Sequence, residues 1–256
     1  MKPFIGIFGI TLPTYGVMVS AGFVAALAFV FAVCMRRRFE VHKYIITVCL
    51  AVLAGLFGAK LLSIFTLYSP RRIAQLLLSD PLRLVTDSGL VFYGGVISGI
   101  PAAYLAAKLL KTKISECEAA LVPAIPLGHA FGRLGCFFAG CCYGFECKNF
   151  GVVYVDPECF APTGIRLFPI QLFEAAFDIF LFALLVFLIF RKNREYLALP
   201  IYFASYSLWR FLAEFLRGDE IRGKLGFFSV SQWISLAFFC AAIILFVLRT
   251  KKQKHN

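Results

Sequence analysis

Seven stretches of this chain are each about twenty residues of nearly unbroken apolar sequence, a pattern that water-soluble folds do not carry. They fall at about 8–34, 44–68, 89–110, 116–141, 169–190, 197–216 and 229–248. A helix rising ~1.5 Å per residue needs ~20 mostly apolar residues to cross ~30 Å of hydrocarbon, so every stretch is long enough to span. Composition agrees: hydrophobic residues make up 61% of the 256 and charged residues 16%, and mean hydropathy is +0.83. The 30 Phe are spread over most of the length and leave no polar half for a separate soluble domain. The expectation is an all-α integral membrane protein, one polytopic domain over 1–256 built as a bundle of seven transmembrane helices. Pro101, Pro123, Pro126 and Pro200 lie inside these runs, where neighbouring helices can take up the freed backbone groups.

A net charge of +12 raises the question of nucleic acid, and the placement of the charge answers it. Arg36, Arg37, Arg38 and Lys43, then Lys111 and Lys113, then Arg191, Lys192 and Arg194, then Arg249, Lys251, Lys252 and Lys254 sit in short clusters between apolar runs. That placement orients a membrane protein, and no nucleic-acid motif accompanies it. The opposite loops hold only Arg71, Arg72, Arg83, Lys148, Arg166, Arg217, Arg222 and Lys224, spread through longer segments that also contain acids. The positive-inside rule then puts the C-terminus in the cytoplasm and the N-terminus outside. The first apolar run is too long for a signal-peptide core and has no basic start beyond Lys2, so no cleavable signal is expected. The segment from Ile73 to Val85 suits either a stretch in the headgroup plane or a loop packed on the bundle. No internal repeat is visible, which removes the best sequence pointer to a transporter of paired halves.

Lipid rejects ionisable groups unless they have a partner or a task. Lys60, Arg133, Glu174, Asp178, Arg210, Glu214 and Arg217 all fall within or at the ends of the spans. Lys108, Glu116 and Glu118 are close enough to the cytoplasmic side to snorkel. Arg210, Glu214 and Arg217 recur at spacings of four and three, which predicts a plus-minus-plus row on one face of the sixth span. That row is either an internal salt bridge joining helices or a cation surplus waiting for an anion. Arg133 lies among Gly128, Gly132, Gly135 and Gly140, on a run built for close approach, and a phosphate between two guanidinium forks suits that setting. Tyr93 opens the third span beside Gly94 and Gly95; it reads either as an interfacial aromatic anchor or as a phenol near a reaction centre. Gln171 and Glu174, three apart, make a polar stripe at the start of the fifth span, either packing contacts or the lining of a polar cavity.

Taken in order, these runs resemble the prolipoprotein diacylglyceryl transferase family, and the resemblance covers nearly the whole chain. Pro13-Thr14-Tyr15-Gly16 is similar to its first-helix His-Trp-Tyr-Gly element, and Gly89-Leu90-Val91-Phe92-Tyr93-Gly94-Gly95 to its His-Gly-Gly element. Gly132-Arg133-Leu134-Gly135-Cys136-Phe137 resembles Gly-Arg-Leu/Ile-Gly-Asn-Phe, the most specific signature. Pro169-Ile170-Gln171-Leu172-Phe173-Glu174 is similar to Pro-Ser-Gln-Leu-Tyr-Glu, the Arg210 to Arg217 run to Arg-x-x-x-Glu-Phe-x-Arg, and Ser229-Val230-Ser231-Gln232 to Ser-Met-Gly-Gln. The resemblance implies an enzyme of the bacterial cytoplasmic (inner) membrane that moves the diacylglyceryl group of phosphatidylglycerol onto the lipobox cysteine of prolipoproteins and releases glycerol phosphate. Its implied partners are phosphatidylglycerol, prolipoprotein signal peptides and membrane lipids, with no cofactor, metal or nucleic acid. Arg133 and Arg210 would hold the phosphate, Glu214 would position Arg210 or Arg217, and Tyr15, Gln171 and Glu174 would shape the headgroup site. Gly94, Gly95 and Cys136 belong to the same elements and are expected at the substrate, with Tyr93 at the reaction centre.

The departures from the family pattern concern proton transfer and the acceptor. The family's His before Gly-Gly is Tyr93 here, and a phenol with an ordinary pKa near ~10 is a poor base at neutral pH unless cations depress it. The signature Asn is Cys136, and the following acidic position is Cys141. Cys136, Cys141, Cys142, Cys147 and Cys159 crowd the outer end of the fourth span and the loop after it. A Cys147–Cys159 staple, a zinc site and a thiol relay are the readings open to them. Three classes of function remain: the prolipoprotein transferase, a transferase with the same lipid donor and another acceptor, and a non-catalytic lipid-binding membrane protein.

Overall fold

The computed structural model describes residues 2–7, 9–89, 91–191, 194–219 and 224–255. Among these residues the α-helices are α1 (Thr14–Arg37), α2 (Val41–Leu67), α3 (Pro70–Ser79), α4 (Pro81–Thr86), α5 (Phe92–Leu109), α6 (Ile114–Leu121), α7 (Ala124–Ala139), α8 (Ile170–Phe190), α9 (Ala198–Ala213) and α10 (Val230–His255). Three short antiparallel hairpins join them: β1 (Phe4–Ile7) with β2 (Ile10–Pro13), β3 (Val152–Val153) with β4 (Arg166–Leu167), and β5 (Lys224–Leu225) with β6 (Phe228–Ser229). Among the described residues, five segments are long and apolar enough to cross a membrane: Thr14–Arg37, Val41–Leu67, Ile114–Ala139, Ile170–Phe190 and Val230–Lys251. Many large apolar side chains point outward, Phe57 at 70%, Ile97 at 71% and Phe180 at 63% exposure among them. A surface of that kind belongs against lipid, and the chain is an integral membrane protein.

Two of the seven predicted runs give shorter helices. The run at 89–110 becomes α5, whose apolar part is Gly94–Leu109. The run at 197–216 becomes α9, sixteen residues long, or roughly 24 Å of α-helix. The 3-10 turn Glu214–Leu216 follows directly and adds roughly 6 Å at ~2 Å per residue. The fourth run is divided into α6 and α7 at Val122–Pro123, because a proline ring clashes with the preceding turn and donates no N–H.

The chain forms two compact units. One comprises Val30–Cys117. Here α2 and α5 meet along glycines: a Cβ on Gly94 would lie 2.3 Å from the Gly58 carbonyl oxygen, and one on Gly58 would lie 2.6 Å from the Gly94 oxygen. Ser98 Oγ donates across this seam to the Ala54 carbonyl at 2.8 Å. Lys60, one of the charges expected in the membrane, donates its ammonium protons to the backbone carbonyls of Ser88 and Gly89. Tyr44 donates to Glu116 at 2.6 Å. The Ile73–Val85 stretch forms α3 and α4, with Leu76 and Leu84 buried and Leu77, Leu78 and Leu82 exposed. Ser69 caps α3 by accepting from the Arg72 N–H at 3.4 Å, with Pro70 in the first turn.

The other unit comprises Met1–Phe29 and Glu118–Asn256. The N-terminal part of α1 packs on α7 where side chains are smallest: a Cβ on Gly22 would lie 2.9 Å from the Gly128 carbonyl oxygen. α10 begins with a reciprocal capping box. Ser229 Oγ accepts from the Gln232 N–H at 3.2 Å, and Gln232 Oε1 accepts from the Ser229 N–H at 3.0 Å. At its other end Arg249 makes two hydrogen bonds to Glu118, at 2.5 and 2.6 Å, and one to the Tyr196 carbonyl at 3.0 Å. The loop between α7 and α8 carries its own small core of Tyr154, Cys159, Ala161 and Leu167.

Candidate functional site

Helical spacing aligns the polar residues of this second unit. On α7, His129, Arg133 and Cys136 are four and three apart; on α8, Gln171, Glu174 and Asp178 are three and four apart. Each set therefore occupies one face of its helix, and the two faces meet. His129 Nδ1 lies 2.9 Å from Asp178 Oδ2, and Arg133 Nη1 lies 3.3 Å from Glu174 Oε2. Gln171, Glu174 and Asp178 are almost completely buried.

The third contribution comes from the end of α9. Arg210 is ion-paired to Glu214 at 2.7 Å and donates to Ser231 Oγ at 3.2 Å. Arg217 does not extend the helical row predicted from its spacing. α9 ends at Ala213, and after the 3-10 turn Arg217 has an extended backbone at φ −84°, ψ 142°. Backbone pairing holds it there: the Phe145 N–H donates to the Leu216 carbonyl at 3.1 Å and the Gly218 N–H to the Tyr143 carbonyl at 3.0 Å. Gly144 and Gly218 permit this approach, since a Cβ on Gly218 would lie 2.4 Å from the Gly144 oxygen. From this position Arg217 grips Asp219 with a two-pronged fork at 2.9 and 3.0 Å. Its Nη1 lies 3.7 Å from Glu174 Oε1.

The cation surplus expected from Arg210, Glu214 and Arg217 alone is therefore met inside the protein. Arg133 shares Glu174 with Arg217, and Asp219 supplies a further carboxylate. What remains is unused hydrogen-bonding capacity. Arg133 Nε, Arg210 Nη1 and Arg217 Nη1 are buried donors that make no hydrogen bond among the described residues. Burying such donors unmet costs free energy of order 1–3 kcal/mol each, and the same network also holds buried acceptors, Glu174 Oε2 and Asp178 Oδ1 among them, that make no hydrogen bond among the described residues. On another face of the same two helices, Ala130, Phe131, Leu134, Leu172, Ala175, Ala176 and Ile179 line an apolar groove of about 440 Å³.

Most of the predicted residues gather in this unit. Tyr15, on the first turn of α1, lies against Gly135 of α7, where a Cβ would come within 3.1 Å of its ring. Gln171 donates through Nε2 to the Cys141 carbonyl at 2.8 Å. Gly94 and Gly95 belong to the other unit and pack on α2 as described above. Tyr93 lies in α5, and its side chain is outside the described residues. His129, Tyr206, Trp209 and Asp219 were not singled out in the sequence. Tyr206 has its ring 5.4 Å from that of His129 and lies within electrostatic range of Arg133, Arg210, Asp178 and Glu174. Its position one turn before Arg210 was the available signal.

No disulfide is formed among the described residues, so the suggested Cys147–Cys159 staple is not made. The sulfurs of Cys136, Cys141 and Cys142 instead converge, all within 4.8 Å of one another. Hydrogen bonds from Cys136 and Cys141 hold the Cys142 thiol well below the ordinary thiol range. The Arg217 and Arg133 charges add to this against the opposing effect of burial.

The described residues define a multi-span membrane protein with a buried arginine–carboxylate network and an apolar groove on the same pair of helices. The sequence comparisons narrow this to one family. The family model described as prolipoprotein diacylglyceryl transferase matches residues 3–248, and the chain belongs to that family. Its relatives include phosphatidylglycerol–prolipoprotein diacylglyceryl transferase 2 of Clostridium perfringens, 33% identical over 97% of this chain and 95% of the relative. The transferase of Clostridium tetani is 31% identical over 99% of this chain and 100% of its own length. That of Clostridioides difficile is 28% identical over 98% and 96%.

Proposed function

We propose that this protein transfers the diacylglyceryl group of phosphatidylglycerol to the cysteine thiol of a prolipoprotein, releasing glycerol phosphate. Family membership supports the reaction, and the observation that carries the site is the set of unmet N–H donors on Arg133, Arg210 and Arg217. In the reaction a C–S bond forms at the glyceryl carbon as its C–O bond to the phosphate ester breaks. The electron pair leaves on the phosphate, and the thiol proton must pass to a base. Charge builds on the phosphate oxygens, where buried guanidiniums stabilise it most effectively. Arg133 and Arg210 bind the phosphate, Glu214 fixes Arg210, and Glu174 sets Arg133 and Arg217 in place. Tyr15 and Gln171 line the headgroup, the groove between α7 and α8 takes an acyl chain, and Cys136 lies at the floor of the site. Tyr93 stands in the sequence at the family's His position, and on this reading it belongs to the reaction centre.

The same reading includes seven spans with the N-terminus outside, a single polytopic domain, residence in the bacterial cytoplasmic membrane, and prolipoprotein signal peptides as the acceptor segment. The substitutions at Tyr93, Cys136 and Cys141 favour a second reading in which the donor is kept and the acceptor differs. Membranes containing the chain, supplied with labelled phosphatidylglycerol and a lipobox peptide, separate the two. Label on the peptide is expected. Glycerol phosphate release without peptide labelling moves the conclusion to the second reading, and neither product refutes both.

A further inference from the structure

The thiols at the end of α7 are placed by the backbone rather than by chance. Gly140 ends α7 in the left-handed conformation at φ 73°, and Cys142 also has positive φ, at 60°. A non-glycine residue there is strained, and such strain persists only where the surroundings impose it. The two reversals fold the chain back so that Cys141 and Cys142 face Cys136 on the last turn of the helix. The resulting three sulfurs lie within 4.8 Å of one another, Cys136 buried and the other two half-buried. We propose that Cys136, Cys141 and Cys142 form a three-sulfur site for one thiophilic cation of the Zn2+ or Cu+ type.

Metal–thiolate bonds of ~2.3 Å in tetrahedral geometry put sulfurs ~3.8 Å apart. Closing the trio to that spacing takes movements of ~1 Å or less, within reach of cysteine side-chain rotation. Sulfur-only donor sets select soft cations over Mg2+ or Ca2+. Three thiolates around a monovalent or divalent ion carry a net charge of −2 or −1, and Arg133 and Arg217 act electrostatically on Cys142 with the opposite sign. The backbone of Cys141 is fixed by Gln171 Nε2, as outer partners fix metal ligands elsewhere. Gln171 is fully buried, and its Oε1 makes no hydrogen bond among the described residues. Binding forms three metal–sulfur bonds and releases to solvent the protons that the thiols still carry, with no change of oxidation state. The site does not depend on the transferase reading.

The test uses the reduced full-length protein in detergent, titrated with Cd2+ as a spectroscopic probe and then with Zn2+ in competition. The expected result is cadmium–thiolate absorption saturating at one equivalent, displaced by Zn2+. Affinity should fall at least 100-fold in Cys142→Ser and in Cys136→Ser, and stay unchanged in Cys147→Ser. Alkylation followed by mass spectrometry on the wild type gives a readout without substitution: one equivalent of Zn2+ should protect Cys136, Cys141 and Cys142 and leave Cys147 reactive. No saturable binding by the reduced wild type overturns the site, as does binding that survives Cys142→Ser. Protection that does not include all three thiols overturns it as well.

Discussion

Single residues in the buried network differ in what their loss should cost. Among the described residues Arg210 is ion-paired to Glu214, so Arg210→Ala removes this 2.7 Å counter-charge from a buried carboxylate. Breaking a buried pair from one side costs about 3–5 kcal/mol. We expect a clear fall in thermal stability and transfer reduced about 10²–10³-fold, the loss typical of removing one donor to a developing oxyanion. Arg210→Lys should recover the stability more than the rate, because an ammonium restores charge and not the fork; equal recovery of both would place Arg210 outside the phosphate contact. Tyr154 behaves differently. It donates to the Phe137 carbonyl at 3.1 Å, and burial pushes its phenol up to about 12. The unfolded chain loses this proton near pH 10, while the folded protein keeps it to about 12. Between those values the unfolded state binds fewer protons, so stability falls as pH rises; below pH 10 both states keep the proton and the stability is fully present. Tyr154→Phe should flatten that alkaline decline, measured as melting temperature against pH, and at neutral pH cost about 1 kcal/mol for the lost hydrogen bond.

At the scale of elements, the contact between α2 and α5 has little tolerance. Gly94→Val would force a side chain into the Gly58 backbone, 2.3 Å from where its Cβ would stand. Overpacking of this kind costs about 1–3 kcal/mol or more. A loss of melting temperature is expected even without substrate, whereas Gly89→Ala, with open space around it, should change little. Periodicity made the long helices readable, and motif order made the family readable. The pairing of Arg133 with Glu174 was within reach of the same periodicity, since both sit on polar stripes. Arg217 was not: its helical spacing from Glu214 was misleading, because pairing with the 143–145 segment pulls the chain out of helix after Ala213. The cysteine trio was equally hidden. Its convergence depends on two left-handed residues, and only Gly140 advertises one.

For the whole molecule, the orientation argument makes a prediction of its own: a reporter fused after residue 255 should be active only on the cytoplasmic side, and the opposite result would reverse the topology. Arg249 belongs to that charge count and also binds Glu118 and the Tyr196 carbonyl. With the Ser229–Gln232 box at the start of α10, this leaves the last helix tied at both ends. On the proposed orientation the basic tail serves first as an address during insertion and later, through Arg249, as a buckle in the finished protein, and the two uses can be separated. Arg249→Lys should insert the same way round and melt earlier. Deleting everything from Arg249 onward should undo both, so purification handles belong beyond the tail rather than in its place.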